Sequence, residues 1–343
     1  MPAPPPVSAR PSVSVVVPVR DGGVAFARAL DALVRLHPAP AEVIVVEDGP
    51  QRDGCTCPDG VVVIRMAEGR GPAAARNTGA SRARGDILFF VDADVVVHSD
   101  AIARIGDAMA DGTIDAVFGS YDRCPSASGF ISQFKNLVHR YVHQHAREDA
   151  GTFWSACGAM RRRVFEAAGG FDERFAEPSV EDIELGMRVT RAGGRIRLLK
   201  SLEVTHLKRW TLGSMLHTDI FRRAIPWSRL LLAEAGLPDD LNLRVTARVA
   251  AALTWALLIA VAAAPVVFQS LSVAAVLAVV LVALDWPLWR YFASERGWLF
   301  AARAVPVQWL YYLYSSGTFL WVLLREGRPQ PARVAADARA SCE

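Results

Sequence analysis

Between Val249 and Leu284 the chain runs for 36 residues without a formal charge, and a second uncharged run of 21 follows from Ala304 to Leu324. As one helix the first run would be about 54 Å long, at ~1.5 Å per residue, against a hydrocarbon core of about 30 Å. It must therefore fold back, and 265–272 (PVVFQSLS) is its only polar, helix-weak place to turn. The expectation is one membrane crossing near 249–265, a second near 271–289, and a third at 304–324. Trp309, Tyr311, Tyr312, Tyr314 and Trp321 would supply interface aromatics.

These runs account for a composition that is 52% hydrophobic and 21% charged, with a mean hydropathy of +0.22. A length of 343 residues suggests two units. There is ample apolar surface to bury, which excludes disorder over most of the chain. The formal charge of +3 is too mild to advertise nucleic acid as a partner. Five scattered cysteines make no disulfide framework and fit a reducing compartment. Residues 1–10 begin a proline-rich tail without the apolar stretch of a signal peptide. Residues from about 11 to 225 are therefore expected in the cytosol, tethered to the cytoplasmic membrane by a multi-pass C-terminal region over 243–325. Arg290, Arg296 and Arg303 place the end of the second crossing on the cytoplasmic side. A third crossing would leave Arg325, Arg328, Arg333 and Arg339, most of them in the basic tail 326–343, outside. Either that tail breaks the charge rule or the last segment is re-entrant.

The N-terminal part alternates two patterns. Val13–Val17, Val43–Val46, Val61–Ile64, Ile87–Val91 and Ala116–Phe118 are short aliphatic runs bounded by Gly, Pro or Asp. Between them lie segments of helical period, such as Val24–Leu36 with Phe26, Leu30, Leu33 and Val34 on one stripe. Near-continuous apolar strands separated by helices predict a parallel sheet covered on both faces, an α/β fold. Ligands of such sheets bind beyond the carboxyl ends of the strands. The residues found there are Pro18 to Asp21, then Glu47-Asp48-Gly49, then Asp92-Ala93-Asp94. Carboxylates at i and i+2 after a strand could jointly hold a hard divalent cation and, through it, a diphosphate. Any one of these acids alone reads equally as a turn or helix cap; their shared position at strand ends favours the site.

The ordered blocks PVRDG, VVEDG, GPAAARNTGASRARGDILFFVDADV, and CGAMRRRVFEAAGGFDERF followed by EDIELGMRV resemble glycosyltransferase family 2. The resemblance covers roughly residues 11–212. It implies a GT-A (Rossmann-like) domain, here over 11–211, an inverting transfer from a nucleotide-diphosphate sugar, and a divalent metal, Mg²⁺ or Mn²⁺. It also implies roles. Asp48 and Asp21 would contact nucleobase and ribose, with backbone near Pro18 lining the pocket. Arg76 would reach the nucleotide or serve as a buried partner of Asp92 or Asp48. Asp92 would contact the donor and Asp94 the metal. Acceptor contacts would begin at Trp154–Ala159, including Gly158, whose small size a packed strand explains as well. Glu181 would join them on the acceptor side, and Asp182 would be the general base that takes the proton of the acceptor hydroxyl. His206-Leu207-Lys208-Arg209-Trp210 matches the family's Q-x-x-R-W spacing, with His in place of Gln. His206 would be a metal ligand beside Asp94, Arg209 or Lys208 would hold the diphosphate, and Trp210 would stack on acceptor sugar or sit at the membrane. A hydroxyl needs a base and a phosphate does not, so the expected acceptor is a lipid or lipid-linked hydroxyl.

Residues 212–242 read as an amphipathic interfacial region, with Arg222, Arg223 and Arg229 toward anionic headgroups. Cys55-Thr56-Cys57 has no second pair at zinc spacing. Two rival functions remain: synthesis of a polyprenyl-phosphate sugar, and a non-catalytic membrane scaffold that keeps a GT-A-like domain.

Overall fold

Aliphatic runs too short for helices pair into a sheet, and the computed structural model describes this for residues 11–50, 56–110, 112–233 and 245–327. Two compact units meet between Thr211 and Leu212. The first contains β1 (Val13–Val19), α1 (Gly23–Val34), β2 (Glu42–Glu47), β3 (Val61–Arg65), α2 (Pro72–Arg82), β4 (Ile87–Val91), β5 (Val95–Val97) and α3 (Ala101–Ala108). It continues with β6 (Ala116–Tyr121), α4 (Phe130–His145), β7 (Asp149–Ala150), β8 (Cys157–Arg161), α5 (Arg162–Ala167), α6 (Glu181–Arg191) and β9 (Ile196–His206).

The strands form one sheet in the order β3-β2-β1-β4-β8-β6-β9-β5, with β7 also on β9. β1 through β4 are mutually parallel. The sheet is not parallel throughout, however. β8 runs antiparallel to both β4 and β6, because its chain enters from the end where β4 leaves. β6 and β9 are parallel to each other. The carboxyl ends of β1, β2, β4, β6 and β9 and the amino end of β8 therefore share one rim. Every residue of β1, β2, β4 and β6 is buried, as expected of strands covered on both faces. α1 buries Phe26, Ala29, Leu30 and Leu33; Val34, expected on that stripe, is exposed. α2 packs through small residues: a Cβ on Gly79 would stand 2.5 Å from Val16 Cγ1. Pro72 starts that helix, where a missing N–H costs nothing.

The second unit is helical. α7 (Leu212–His217) passes through a π-helical stretch, Thr218–Ala224, into α8 (Ile225–Ala233). α9 (Val245–Ala263), α10 (Ser270–Leu284), α11 (Trp286–Arg296) and α12 (Trp298–Glu326) follow. This helical stretch, with its π-helical middle, falls in the region 212–242 expected to be amphipathic. Its π turn buries Asp219, which accepts a 2.6 Å hydrogen bond from the Tyr314 hydroxyl. Two of the cations assigned to headgroups are held within this unit, Arg223 near Asp219 at 3.7 Å and Arg229 on Glu326.

The three expected crossings are corrected here. Among the described residues only α9, with 19 residues, is by itself long and apolar enough to cross a membrane. The second segment breaks at Asp285, where α11 turns away from α10 by 66°. The third lies within α12, whose 29 residues include Arg303, Pro306 and Gln308. Helix length and apolarity do not support a multi-pass membrane domain. The tails 1–10 and 328–343, and Cys55, lie outside the described residues.

Candidate active site

Three strand ends supply the acids of the rim. β1 carries Pro18 as its second-last residue, buried opposite Val46 of β2, and leads to Asp21, an exposed residue with φ of 52° in the left-handed region that Asp tolerates. Asp48 follows β2 and is buried. Its carboxylate accepts the Arg70 N–H at 2.7 Å and the Gly71 N–H at 3.1 and 3.0 Å, so it sits at the amino end of α2 where a negative charge is favoured. Only glycine fits at 71: φ is 91°, and a Cβ would lie 2.1 Å from the Ala176 carbonyl oxygen.

Asp92 and Asp94 follow β4. Asp92 faces Arg76 of α2, whose two terminal nitrogens bridge Asp92 Oδ1 at 2.7 Å and Glu181 Oε1 at 2.9 Å. Arg76 lies over the Phe171 ring, 5.3 Å from its centroid. Burial works against its charge, but Asp92, Glu181 and Asp182 raise its pKa and keep it a cation. Of the two roles open to Arg76, the structure shows the buried partner of Asp92. Glu181 departs from its expected acceptor contact. Its side chain is buried and paired with Arg76, and its second oxygen accepts the Ser179 N–H at 2.8 Å.

Asp182, the next residue on α6, points differently, since neighbours on a helix project about 100° apart. It is half-buried. Its Oδ2 accepts the Ser155 N–H at 2.9 Å and the Ser155 hydroxyl at 3.2 Å, and its Oδ1 accepts the Ile183 N–H at 2.8 Å. Burial, and then the charge of Glu181, push its pKa up to about 6, against the opposing pull of the Ser155 N–H and Arg76.

On the other side of the rim β5 pairs with β9, placing Val95 opposite His206. Asp94 Oδ2 and His206 Nε2 stand 3.5 Å apart. Burial would raise the Asp94 pKa, but His206 and the Lys208 charge hold it below the usual carboxylate range. His206 stacks on Tyr121, ring centroids 4.6 Å apart and planes 11° from parallel. Tyr121 in turn meets Trp154 edge-on at 4.9 Å and His139 at 4.4 Å. Among the described residues no three His, Cys, Asp or Glu side chains converge as a metal cage. The Asp94–His206 pair nonetheless suits an ion that takes few protein ligands. Two cis ligands at ~2.1 Å would lie about 3 Å apart, and diphosphate and water would complete the shell.

Other expected contacts are rearranged. A Cβ on Gly158 would lie 2.4 Å from the Trp154 carbonyl oxygen and 2.5 Å from the Phe153 ring, so packing alone already requires glycine there. Trp210 is buried, its backbone N–H bonded to Ser132 Oγ at 2.8 Å, with Lys208 Nζ 4.3 Å over its ring. Arg209 is exposed beyond β9, and Lys208 is the cation whose charge reaches Asp94. Burial raises the Cys157 thiol and keeps it protonated, as befits a packing residue. Sequence reasoning missed Tyr121 and Asp122, and placed Ser155 on the acceptor side without its bond to Asp182. Asp122 follows β6 at the same rim and accepts the Cys124 N–H at 2.9 Å and the Thr205 hydroxyl. The available signal for it was an acid directly after an aliphatic strand.

Residues 14–169 match the family described as glycosyl transferase family 2. The chain carries a glycosyltransferase family 2 domain. The pre-mycofactocin glycosyltransferase of Mycobacterium tuberculosis is 29% identical over 225 residues, which are 60% of this chain and 44% of that protein. The uncharacterized glycosyltransferase EpsJ of Bacillus subtilis is 29% identical over 209 residues, 55% of this chain and 59% of that one. The chain thus spans about half the length of the curated relatives it matches. The mannosyltransferase PcManGT of Pyrobaculum calidifontis, solved with GDP-Man and Mn²⁺, superposes with a TM-score of 0.54 at 19% identity, over 92% of this chain and 88% of that one. The family 2 domain therefore has the GT-A fold.

Proposed function

We propose that the protein is an inverting glycosyltransferase that moves a sugar from a nucleotide-diphosphate donor to a hydroxyl of a lipid or lipid-linked saccharide, at the cytoplasmic face of a membrane to which its helical unit anchors it. The observation that carries this reading is the corner at Asp182. An acid with its pKa raised to about 6 sits on the rim that also carries Asp92 and Asp94, held by the Ser155 and Ile183 N–H groups. Such a group is ionised at neutral pH and basic enough to take a proton in the transition state.

Asp182 removes the proton of the acceptor hydroxyl while the acceptor oxygen bonds to the anomeric carbon. The bond from that carbon to the diphosphate breaks on the opposite face, and the nucleoside diphosphate leaves. Asp48 and Asp21 hold the nucleoside, Asp92 the donor, and Arg76 keeps Asp92 in place. Asp94 and His206 would hold a divalent ion, Mg²⁺ or Mn²⁺, which offsets charge on the departing diphosphate when bound. PcManGT, with its GDP-Man and Mn²⁺, supports a nucleotide-sugar donor and such an ion.

The test is a panel of nucleotide sugars offered to the full chain with Mn²⁺ or Mg²⁺ and membrane lipids. Transfer to an acid-stable product is expected. An acid-labile product would favour a polyprenyl-phosphate acceptor, and failure to bind any donor would leave a scaffold. In the Asp182→Asn variant near-normal turnover would sink the assigned base.

A further inference from the structure

α9 and α10 pack as an antiparallel pair, with Ala250, Leu281 and Tyr312 in one cluster. The outward side of the pair is apolar: Ile259, Val261, Val273, Val276 and Val279 are all half or more exposed. Two features separate the two ends of the pair, and the length of α10 adds a third observation. The open end is charged, with Arg248 in the first turn of α9 and Asp285 and Arg290 after α10, whereas the turn 264–269 carries no charge and exposes Val266 to 89% and Phe268 to 76%. Trp286, Trp289 and Tyr291 cluster beyond α10, and no Trp or Tyr lies between Trp255 and Trp286. A hairpin that crosses a bilayer would carry such aromatics at both surfaces. Finally, α10 has 15 residues, about 22 Å at ~1.5 Å each, short of a hydrocarbon core of about 30 Å.

The turn also meets in part the condition that lipid imposes, that backbone polar groups bond internally. The N–H groups of Val266 and Val267 donate to the Ala263 carbonyl at 3.0 and 2.8 Å, that of Ser270 to Val267 at 2.9 Å and that of Leu271 to Phe268 at 3.1 Å. Pro265 has no N–H to satisfy.

We infer that α9–α10 is a re-entrant hairpin, entering and leaving the bilayer by one face with its 264–269 turn among the lipid acyl chains. α11, bent away by 66° and bearing Trp286, Arg290 and Arg296, then lies along the headgroups. The inference rests on the membrane anchoring proposed above and replaces a spanning pair with a one-sided wedge.

The full chain with Val266→Cys, and separately with Phe268→Cys or Val245→Cys, is expressed in membranes prepared as right-side-out spheroplasts and as inverted vesicles. Each is labelled with a water-soluble maleimide, and the label on the parent chain is subtracted. A turn among acyl chains is shielded from both aqueous phases, so Val266→Cys and Phe268→Cys should label at least about tenfold less than Val245→Cys in inverted vesicles, where the cytoplasmic face is open to the label, and none of the three should label in spheroplasts. A lipid-soluble maleimide should label them fully. Labelling of the turn from outside spheroplasts overturns the inference in favour of a crossing. Labelling of the turn in inverted vesicles overturns it in favour of a hairpin in water. Alkaline-carbonate sedimentation of the parent chain tests the anchoring separately: release to the supernatant sinks that reading, while a retained chain with a labelled turn sinks only the hairpin.

Discussion

β4 and α10 are both nearly pure aliphatic sequence, ILFFV and SLSVAAVLAVVLVAL, yet their environments are opposite. All five residues of β4 are buried between β1 and β8. On α10, Val273, Val276 and Val279 are between 54% and 69% exposed. Apolar composition therefore does not specify where a segment is buried; its length and its ending do. β4 stops after five residues at Asp92 and Asp94, as β2 stops at Glu47 and Asp48, so each short run delivers an acid to a common rim. The run through α9 and α10 has no such stop for 36 residues, and it ends only at Asp285. In the first unit hydrophobic surface is spent on placing charge. In the second it remains exposed, an apolar surface of the kind that marks an interaction site.

The largest effect should come from the charge that the first unit places. Replacing Asp182 with Asn keeps the shape and removes the base, and should lower kcat by about 10²–10⁴ with donor affinity nearly unchanged, read by turnover and calorimetry. Next is Arg76, the buried cation shared by Asp92 and Glu181. Arg76→Gln leaves two acids without their partner and should cost about 3–5 kcal/mol in denaturant unfolding of the first unit. Lysine, with one ammonium, cannot bridge both acids and should recover only part of this loss. Of similar size is Phe90→Ala, which opens a cluster with Phe153, Phe165 and Phe171 and should cost about 3–5 kcal/mol.

A smaller effect is carried by pH. Asp182 works only when ionised, and its pKa stands near 6 and not at an ordinary carboxylate value. Turnover should fall as pH drops through about 6, roughly tenfold for the next unit below, while the residual turnover of Asp182→Asn loses that inflection. A wild-type profile flat down to pH 5 would remove the corner's functional meaning.

The rim was legible in the sequence because β1, β2 and β4 are aliphatic and stop at acids. β9 was not: IRLLKSLEVTH places Lys200 and Glu203 among its apolar residues, since near the sheet edge many of its positions are only partly covered. Asp182 and Glu181 were legible as a pair but not by orientation. Which one faces the rim depends on Arg76, 105 residues away, and no local pattern reveals that contact. The burial of Trp210 was not legible for a similar reason, its backbone N–H being bonded to Ser132 on α4. In the second unit the uncharged run was plain and its geometry was not. The bend at Asp285 follows from Pro287 in the first turn of α11 and from the Tyr312 hydroxyl bonded to the Asp285 carboxylate at 2.9 Å.

The smallest predicted effect is the counterpart to Phe90. Val276 is 63% exposed, so Val276→Ala removes little packing within the protein. In detergent the variant should unfold within about 0.5 kcal/mol of the parent chain, as surface changes do. Its loss should appear instead in partitioning, since each buried CH₂ transferred to lipid is worth about 0.8 kcal/mol. Val273, Val276 and Val279 changed together to Thr should therefore leave the melting of the first unit untouched and shift the chain from membrane to supernatant at high salt. If the triple variant instead melts earlier in detergent, those valines are packed against protein, and the contrast between β4 and α10 fails at its second term.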